Sequence, residues 1–284
     1  MKKILFLLSL LCLIIIACDK IDGPYLAINP AVEPISIDSF PPLTQSVIHK
    51  FLMEEFTGHK CSNCPQGHAL LRNLLAIYGD TMITIGIHAG SLSVTDAEYP
   101  YDFRTNVGNQ LFTDFPPLGV PSVFVNRTGA VLWNNANDWQ DAIIQRDRTT
   151  PVAAIQIINV YDELKQKVTA NAKITMLQDY ANPINISFYL IENKIIKPQL
   201  SGTTRIPNYE HNHVLRASLD GTTYGLLLSG TGTANGATFL KAYDYQFYGT
   251  DRVPENCKIV VFLSDASSKQ ILQVEEAEVK TNEQ

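Results

Sequence analysis

The feature that most constrains the fold is a pair of cysteines, Cys61 and Cys64, between a predicted strand and a predicted helix. Residues 47–56 have the apolar character of a strand, and residues 65–78 carry leucines at helical spacing. Pro65 suits the first turn of this helix, because the first backbone N–H groups of a helix need no intrahelical partner. The order strand, Cys-x-x-Cys, helix therefore predicts two thiols at the N-terminal end of a helix.

Two thiols in this position suit thiol–disulfide exchange. The helix dipole stabilises a thiolate on Cys61, and His59 and Lys60 would add positive charge beside it. The two-residue gap lets Cys64 attack a mixed disulfide that has formed on Cys61. The same pair equally suits a static disulfide that fixes a turn. Zinc binding with His59 or His68 is a third alternative, but it lacks a convincing fourth ligand, so we predict no metal site.

The N-terminus indicates export. Lys2 and Lys3 make the first residues a short positive region, and residues 4–16 form an almost unbroken apolar stretch that is too short for a stable membrane span. The stretch ends in Ala17-Cys18, which resembles a bacterial lipobox. That resemblance implies cleavage before Cys18 and diacylation of its thiol, and two acyl chains suffice for stable anchoring. We therefore predict a signal peptide over residues 1–17 and a proline-rich, lipidated tether over residues 18–45.

Export decides how the other cysteines are interpreted. Cys12 leaves with the signal peptide and Cys18 carries the lipid, so three thiols remain in the folded part. In an oxidising envelope, a close pair plus a singleton suggests a Cys61–Cys64 disulfide and one free thiol. Cys257 precedes an apolar strand, so we expect it to be a buried structural thiol.

The composition is that of a globular protein and does not favour binding to nucleic acid. Among the 284 residues, 45% are hydrophobic and 18% are charged, which leaves ample material for a core. The formal net charge is -6 and no long basic run is present, so we expect no nucleic-acid partner. The proposed thiol chemistry requires no cofactor.

The pattern changes near residue 150. Residues 46–150 alternate strands with helices, whereas residues 151–284 show about seven short strands separated by turn residues, which favours an all-β sandwich. We therefore predict an α/β domain over residues 46–150 and a β-sandwich domain over residues 151–284.

The first of these domains resembles the thioredoxin superfamily beyond its cysteines. Glu55-Phe56 lies six and five residues before Cys61, where thioredoxins carry an acidic residue and a phenylalanine. The run Gly119-Val120-Pro121-Ser122 resembles the loop whose cis-proline faces the two cysteines. This resemblance implies a thioredoxin-like fold in which Pro121 shapes the substrate groove. Glu55 either accepts a proton from Cys64 or simply points to solvent at the end of its strand.

A second resemblance spans almost the whole mature chain. The runs EEFTGHKC at 54–61, HNHVLR at 211–216 and NCKIV at 256–260 are similar to the outer membrane protein 28 family of Bacteroidetes lipoproteins. That resemblance implies a thioredoxin-like domain followed by an immunoglobulin-like β domain. It also implies an outer-membrane location in the cell envelope, with the membrane face left open, and a function described as receptor or adhesin.

Two functions remain as alternatives. The first is a membrane-tethered thiol–disulfide oxidoreductase that exchanges with protein thiols or disulfides. The second is a non-enzymatic surface protein, an adhesin or receptor component, in which the Cys61–Cys64 disulfide is structural. In the second case Tyr99, Tyr101 and Phe103, in an irregular segment, would offer contacts to a surface partner. In both cases the membrane is reached through the lipid on Cys18.

Overall fold

A computed structural model describes residues 29–43, 46–133, 135–146 and 150–280. The predicted signal peptide and Cys18 lie outside these residues. Within the described part of the chain, no helix is long and apolar enough to cross a bilayer.

The first half alternates strands and helices. Its elements are β1 (Phe51–Thr57), α1 (Cys64–Tyr78), β2 (Met82–His88), α2 (Asn106–Asp114), β3 (Ser122–Val125), β4 (Leu132–Trp133) and α3 (Ala136–Arg146). Strand β1 pairs in parallel with β2 and antiparallel with β3, and β3 pairs antiparallel with β4. The predicted succession of strand, Cys-x-x-Cys and helix is confirmed, and α1 begins at Cys64, one residue before the predicted start.

The second half contains only strands as regular elements, apart from one short 3-10 turn, within the described residues. They are β5 (Ala153–Asp162), β6 (Lys167–Met176), β7 (Ile184–Glu192), β8 (Ile195–Ser201), β9 (Thr204–His211), β10 (Val214–Ser218), β11 (Leu226–Ser229), β12 (Thr238–Gln246), β13 (Cys257–Asp265) and β14 (Ile271–Glu278). The predicted order of an α/β first half and an all-β second half is therefore confirmed.

One mixed sheet runs through both halves. Its strand order is β14-β13-β7-β10-β2-β1-β3-β4, with β11 also paired to β7. A second sheet of order β12-β6-β5 faces it across an apolar core, to which both sheets contribute buried side chains such as Ile174, Tyr243, Phe188 and Val261. Strand β8 pairs with β9 in a separate hairpin, hereafter the 195–211 hairpin. The two predicted domains thus share one sheet through the parallel contact of β10 with β2.

Strand β1 is buried on both faces, and this burial separates two neighbouring carboxylates. Phe51 and Met53 pack against α1 in one apolar cluster, whereas Leu52 and Phe56 belong to the cluster on the other face, with α2. Successive side chains of a strand point to opposite faces. Glu55 therefore lies on the α1 side, and Glu54 lies on the opposite side.

Glu54 is neutralised by a buried ion pair. Arg127, in the turn that joins β3 to β4, donates from Nε to Glu54 Oε2 at 2.8 Å and from Nη2 to Oε1 at 2.6 Å. The guanidinium also lies over the rings of Tyr224 and Phe262, which belong to the second half of the chain. A bidentate pair in this position therefore connects the two halves behind the sheet.

Residues 29–43 belong to the folded part of the molecule rather than to a tether. The backbone N–H of Val32 donates to the carbonyl of Ala242 at 3.0 Å, and Phe40 is buried. The backbone N–H of Ile35 also donates to the side chain of Asn171 at 3.0 Å. The tether prediction for residues 18–45 is therefore wrong over residues 29–43, because this segment follows the β-sandwich and satisfies hydrogen bonds there.

We predict that Glu54→Gln lowers the free energy of unfolding by about 3–5 kcal/mol, because it leaves the buried Arg127 charge without a counter-ion. Urea unfolding monitored by circular dichroism measures the change. The matched control is Asp162→Asn, which breaks a solvated pair with Lys165 and is expected to change stability little. Equal effects of the two substitutions would contradict a structural role for the buried pair.

Candidate functional site at the Cys61–Cys64 disulfide

The two cysteines form a disulfide at the start of α1. Their Cα atoms are 5.4 Å apart, and the side chains are buried, with 2% of Cys61 and none of Cys64 exposed. Cys64 is the first residue of the helix, and Cys61 lies in the preceding loop. The predicted pairing is therefore present, but in a covered position.

The Val120–Pro121 loop faces this disulfide. The Cys61 Sγ lies 3.4 Å from the carbonyl oxygen of Val120, and the Val120–Pro121 peptide bond is cis, as the sequence predicts. Helix α1 approaches Pro121 closely at Gly67, where a Cβ atom would lie only 2.6 Å from the Pro121 Cβ. A glycine is therefore needed at this point for the helix to pack on the loop.

Glu55 lies beneath the first turn of α1. Only 4% of the residue is exposed, and its Oε1 would be 3.2 Å from a Cβ atom on Gly67. The structure thus brings Glu55 and Pro121 to the same glycine, one helical turn after Cys64. Burial raises the pKa of Glu55 well above its ordinary value, while Arg72 acts in the opposite direction. A carboxyl group with a raised pKa is better matched to a thiol as a proton acceptor.

His68 contacts Glu55 and is held in place from two sides. Its Nε2 lies 3.6 Å from Glu55 Oε1 and 3.0 Å from the hydroxyl of Thr57, and its Nδ1 lies 2.7 Å from the hydroxyl of Tyr209. Burial, followed by the positive charges of neighbouring groups, lowers the pKa of His68 to about 3. His68 is therefore a neutral imidazole at physiological pH, with both ring nitrogens in contact with polar groups.

The positive charge expected beside Cys61 is largely cancelled. Lys60 Nζ pairs with Asp96 Oδ2 at 3.0 Å, and burial lowers the pKa of His59, which favours its neutral form. The prediction that these two residues stabilise a thiolate on Cys61 is therefore wrong for this closed arrangement.

The 195–211 hairpin covers the disulfide loop. The backbone N–H of Leu200 donates to the carbonyl of His59 at 2.8 Å, and that of Gly202 donates to Ser62 at 2.9 Å. Gln199 is fully buried, and its amide donates to the carbonyls of Gly58 at 3.2 Å and Cys61 at 3.0 Å. These bonds satisfy the carbonyl groups of the cysteine loop, so the second half of the chain closes the site of the first half.

A cluster of aromatic and histidine rings lies under the hairpin. Phe103 stacks on His88 with ring centroids 4.4 Å apart and contacts His211 at 4.5 Å, while His59 stacks on Tyr99 at 5.4 Å. Tyr99 and Phe103 are buried, so the prediction that they offer contacts to an external partner is wrong.

Two further positions concern histidine and cysteine. His211 ends β9, whereas His213 lies in the following turn at φ 57°, so these two histidines do not lie on one face of a strand. Cys257 is buried in the β-sandwich core as expected, and burial raises the pKa of its thiol. Among the described residues, no group of three or more histidine, cysteine or acidic side chains is arranged to hold a metal ion.

Sequence reasoning missed the contribution of the second half to this site. Gln199 and Tyr209 belong to β8 and β9, where Pro198 and Pro207 interrupt the pattern of a strand. The signal that could have suggested a hairpin is the Gly202 turn between two short runs with apolar positions. Nothing in the sequence indicates that this hairpin reaches the cysteine loop, because that contact spans about 140 residues.

We predict that Gln199→Leu accelerates reduction of the Cys61–Cys64 disulfide by tris(2-carboxyethyl)phosphine about tenfold, because it removes two hydrogen bonds that hold the hairpin closed. Alkylation of the released thiols followed by intact mass measurement gives the rate. The control Gln246→Leu removes an exposed amide that bonds to Lys165 and Gln166, away from the site, and should leave the rate unchanged. A rate for Gln199→Leu equal to that of the wild type would show that the hairpin does not limit access.

We also predict that stability falls on acidification below about pH 6.5. Burial lowers the pKa of His68 to about 3 and those of His211 and His213 to about 4. Between pH 6.5 and 4 the unfolded chain therefore binds more protons than the folded chain, and the free energy of unfolding decreases. Glu55, with its raised pKa, contributes with the opposite sign over part of this range.

The test compares urea unfolding at several pH values for the wild type and for His211→Gln. We expect the variant to lose about 1 to 3 kcal/mol less than the wild type between pH 6.5 and 4, since each pKa unit corresponds to about 1.4 kcal/mol. The surface substitution Gln110→Ala should keep the wild-type slope. Identical slopes for wild type and His211→Gln would contradict the expected role of this histidine.

Comparisons with known proteins bear on the fold and the family. A family model described as "Outer membrane protein Omp28" matches residues 108–283, which begin after Cys64. The fold is similar to that of HBP35 of Porphyromonas gingivalis, with a TM-score of 0.65 and 15% identity over 84% of this chain and 79% of that chain.

A domain of the outer membrane lipoprotein Omp28 from Porphyromonas gingivalis also matches, at 20% identity and a TM-score of 0.29. The match covers 45% of this chain and 96% of that domain. No protein with a curated description matches the sequence.

Proposed function

Because the chain belongs to the outer membrane protein Omp28 family, we propose that it acts in the cell envelope as a thioredoxin-like thiol–disulfide exchange protein with Cys61 and Cys64 as its reactive pair. Members of this family are outer membrane proteins, which agrees with the location expected from the sequence. Anchoring through a lipid on Cys18 is part of the proposal, as is a partner that carries protein thiols or disulfides.

The observation that carries the proposal is the convergence of three groups on the disulfide. Cys61 Sγ contacts the carbonyl of Val120 at 3.4 Å, Pro121 packs on the first turn of α1, and Glu55 is buried beneath that turn. A disulfide that serves only as a staple needs no buried carboxyl group beneath it. An isolated carboxyl group in such a position costs stability, so its presence favours a chemical role.

The topology around the pair supports the same assignment. The strand order β2-β1-β3-β4, with β2 parallel and β3 antiparallel to β1, places α1 between two parallel strands and the β3–β4 hairpin beside them. Thioredoxin-like domains are built in this way, with the cysteine pair after the first of these strands. We also propose that the second half of the chain is an immunoglobulin-like β-sandwich, because two sheets face each other across its apolar core.

Exchange proceeds in two balanced steps in this proposal. In the reduced protein the Cys61 thiolate attacks one sulfur of a partner disulfide, which forms a mixed disulfide and releases the other partner sulfur as a thiolate. Cys64 then gives its proton to Glu55 and attacks the Cys61 sulfur, which releases the second partner thiolate. The partner disulfide gains two electrons, the Cys61–Cys64 disulfide forms, and both partner thiolates take protons from water.

Exposed apolar side chains beside the Val120 loop offer a contact for the partner. Leu118 is 92% exposed and Trp133 is 55% exposed, and the Trp133 ring lies against Gly119. Large apolar side chains exposed together commonly mark a surface that another chain covers. A partner segment that contacts Leu118 and Trp133 would reach Val120 next and then Cys61.

A second candidate function rests on a different observation. Both cysteines are buried and the 195–211 hairpin covers them, as expected for a structural disulfide in a non-enzymatic surface binding protein, an adhesin or receptor component. The reduction potential separates the two functions, because structural disulfides have values below about -300 mV. A potential in that range would favour the second candidate.

We predict that the full-length protein in detergent reduces oxidised glutathione when supplied with dithiothreitol, and that Cys61→Ser lowers this activity at least about a hundredfold over background because the attacking thiolate is lost. Cys64→Ser that has been reduced and then freed of dithiothreitol should instead trap glutathione on Cys61, detected as an added mass. The control Cys257→Ala removes the remaining thiol of the folded part and should retain the activity. Activity that is indifferent to Cys61→Ser would contradict the proposed function.

A further inference from the structure

A row of polar groups leads away from Glu55 to the 195–211 hairpin. Glu55 Oε1 lies 3.6 Å from His68 Nε2, and His68 Nδ1 lies 2.7 Å from the hydroxyl of Tyr209. Glu55 Oε1 has no hydrogen-bond partner among the described residues, and Glu55 and His68 line a cavity of about 60 Å³ between α1, β1 and the end of β9. The buried carboxyl group is therefore connected to the outer part of the molecule through one imidazole.

The helix register places this row directly behind the cysteine pair. Cys64, His68 and Arg72 are spaced four residues apart on α1, so their side chains follow one another along the same face of the helix. Glu55 lies under the turn between Cys64 and His68, where it borders Gly67. Tyr209 belongs to the second half of the chain, so both halves contribute to the row.

We propose that His68, held by Tyr209, is a positioning residue that carries the proton between Glu55 and the protein surface during exchange at Cys61 and Cys64. This inference rests on the proposed function and deepens it. It assigns a role to two residues that do not touch the partner, and it makes the 195–211 hairpin part of the chemistry as well as a cover.

The proton follows a balanced route. When Cys64 attacks the mixed disulfide, its proton moves to the Glu55 carboxylate and then to His68 Nε2. In the tautomer that carries its hydrogen on Nδ1, His68 simultaneously donates that hydrogen to the Tyr209 oxygen, and the Tyr209 hydroxyl hydrogen passes to water. Glu55 returns to its carboxylate form and His68 to a neutral imidazole, while the electrons move only among the sulfur atoms.

The surroundings of His68 favour a neutral imidazole that passes a proton on, rather than an imidazolium that holds it. Burial, followed by repulsion from His211, Arg72 and His213 when they are charged, lowers the pKa of His68 to about 3, so the imidazolium form is disfavoured. A neutral imidazole can accept a proton at one nitrogen and donate from the other. The groups that face it are Glu55 and Thr57 on β1, Arg72 on α1, His88 on β2, Tyr209 and His211 on β9, and His213 in the following turn.

The test separates attack from resolution with oxidised glutathione as the probe. Reduced full-length protein in detergent is mixed with oxidised glutathione, quenched with acid after defined times, and measured by intact mass. The mass of one added glutathione rises with attack by Cys61 and falls with resolution by Cys64. The variants are His68→Gln, which retains hydrogen-bonding groups but cannot relay a proton, and Tyr209→Phe, with the exposed Tyr248→Phe as the matched control.

We expect attack to stay within about twofold of the wild-type rate in every variant, and resolution to slow at least about tenfold in His68→Gln, since positioned proton transfer contributes about a hundredfold or more. Tyr209→Phe should slow resolution about three- to tenfold. In His68→Gln the resolution rate should rise more steeply with pH than in the wild type, because hydroxide then removes the proton. A purely structural defect would not produce this change in pH profile.

Two results overturn the inference, and they are distinguishable. If the wild type exchanges but His68→Gln resolves the mixed disulfide at the wild-type rate, the relay is wrong and the proposed function stands. If the wild type forms no mixed disulfide at all, the proposed function fails and the relay fails with it. Should His68→Gln not fold, as judged by circular dichroism, Tyr209→Phe decides alone, and wild-type resolution in that variant would refute the relay.

Discussion

The parallel contact between β10 and β2 determines where everything else at the site lies. The backbone N–H of Gly86 donates to the carbonyl of His213 at 2.7 Å, and Val214 is in register with Gly86. Since β9 ends two residues before His213, this contact fixes the 195–211 hairpin at the carboxyl ends of β1 and β2. The cysteine loop begins at the same ends, so a strand pairing in the sheet is what places the cover over the disulfide.

The 195–211 hairpin is held over the cysteine loop by hydrogen bonds and by side-chain contacts. Four hydrogen bonds join the hairpin to the cysteine loop, two from backbone N–H groups and two from the Gln199 amide. Each such bond contributes about 0.5–1.5 kcal/mol net. The contact of Tyr209 with His68, the hydrogen bonds from Arg205 to the carbonyl of Glu98 and the packing of Phe103 on His211 also hold the hairpin in place. Because Cys61 is buried in this closed form, the proposed exchange requires the hairpin to move away from the cysteine loop.

The sequence predicted the parts of the site that depend on local signals. The helix after Cys64 follows from the helical spacing of its leucines, and the cis bond at Pro121 follows from the thioredoxin resemblance. The resemblance to the outer membrane protein 28 family and the outer-membrane location are confirmed by the family match.

What the sequence did not predict depends on contacts between distant residues. No sequence pattern around Gln199 or Tyr209 indicates that these residues contact the cysteine loop. Their position beside the loop depends on the pairing of β10 with β2, which joins residues far apart in the sequence. The charge expected at His59 and Lys60 was also misjudged. Asp96 neutralises Lys60, and the rings of Tyr99 and Phe103 pack on His59; all three come from a segment without a periodic pattern. Neutralisation and burial are properties of the assembled fold.

The contrast between Glu54 and Glu55 bears most directly on function. These neighbours on β1 are both buried, and each would be costly without a partner. Glu54 forms a bidentate ion pair with Arg127, and this pair has a structural role. Glu55 instead faces a neutral imidazole at 3.6 Å, and burial shifts its pKa upward. This difference between two neighbouring buried carboxylates supports the proton transfer that we propose for Glu55.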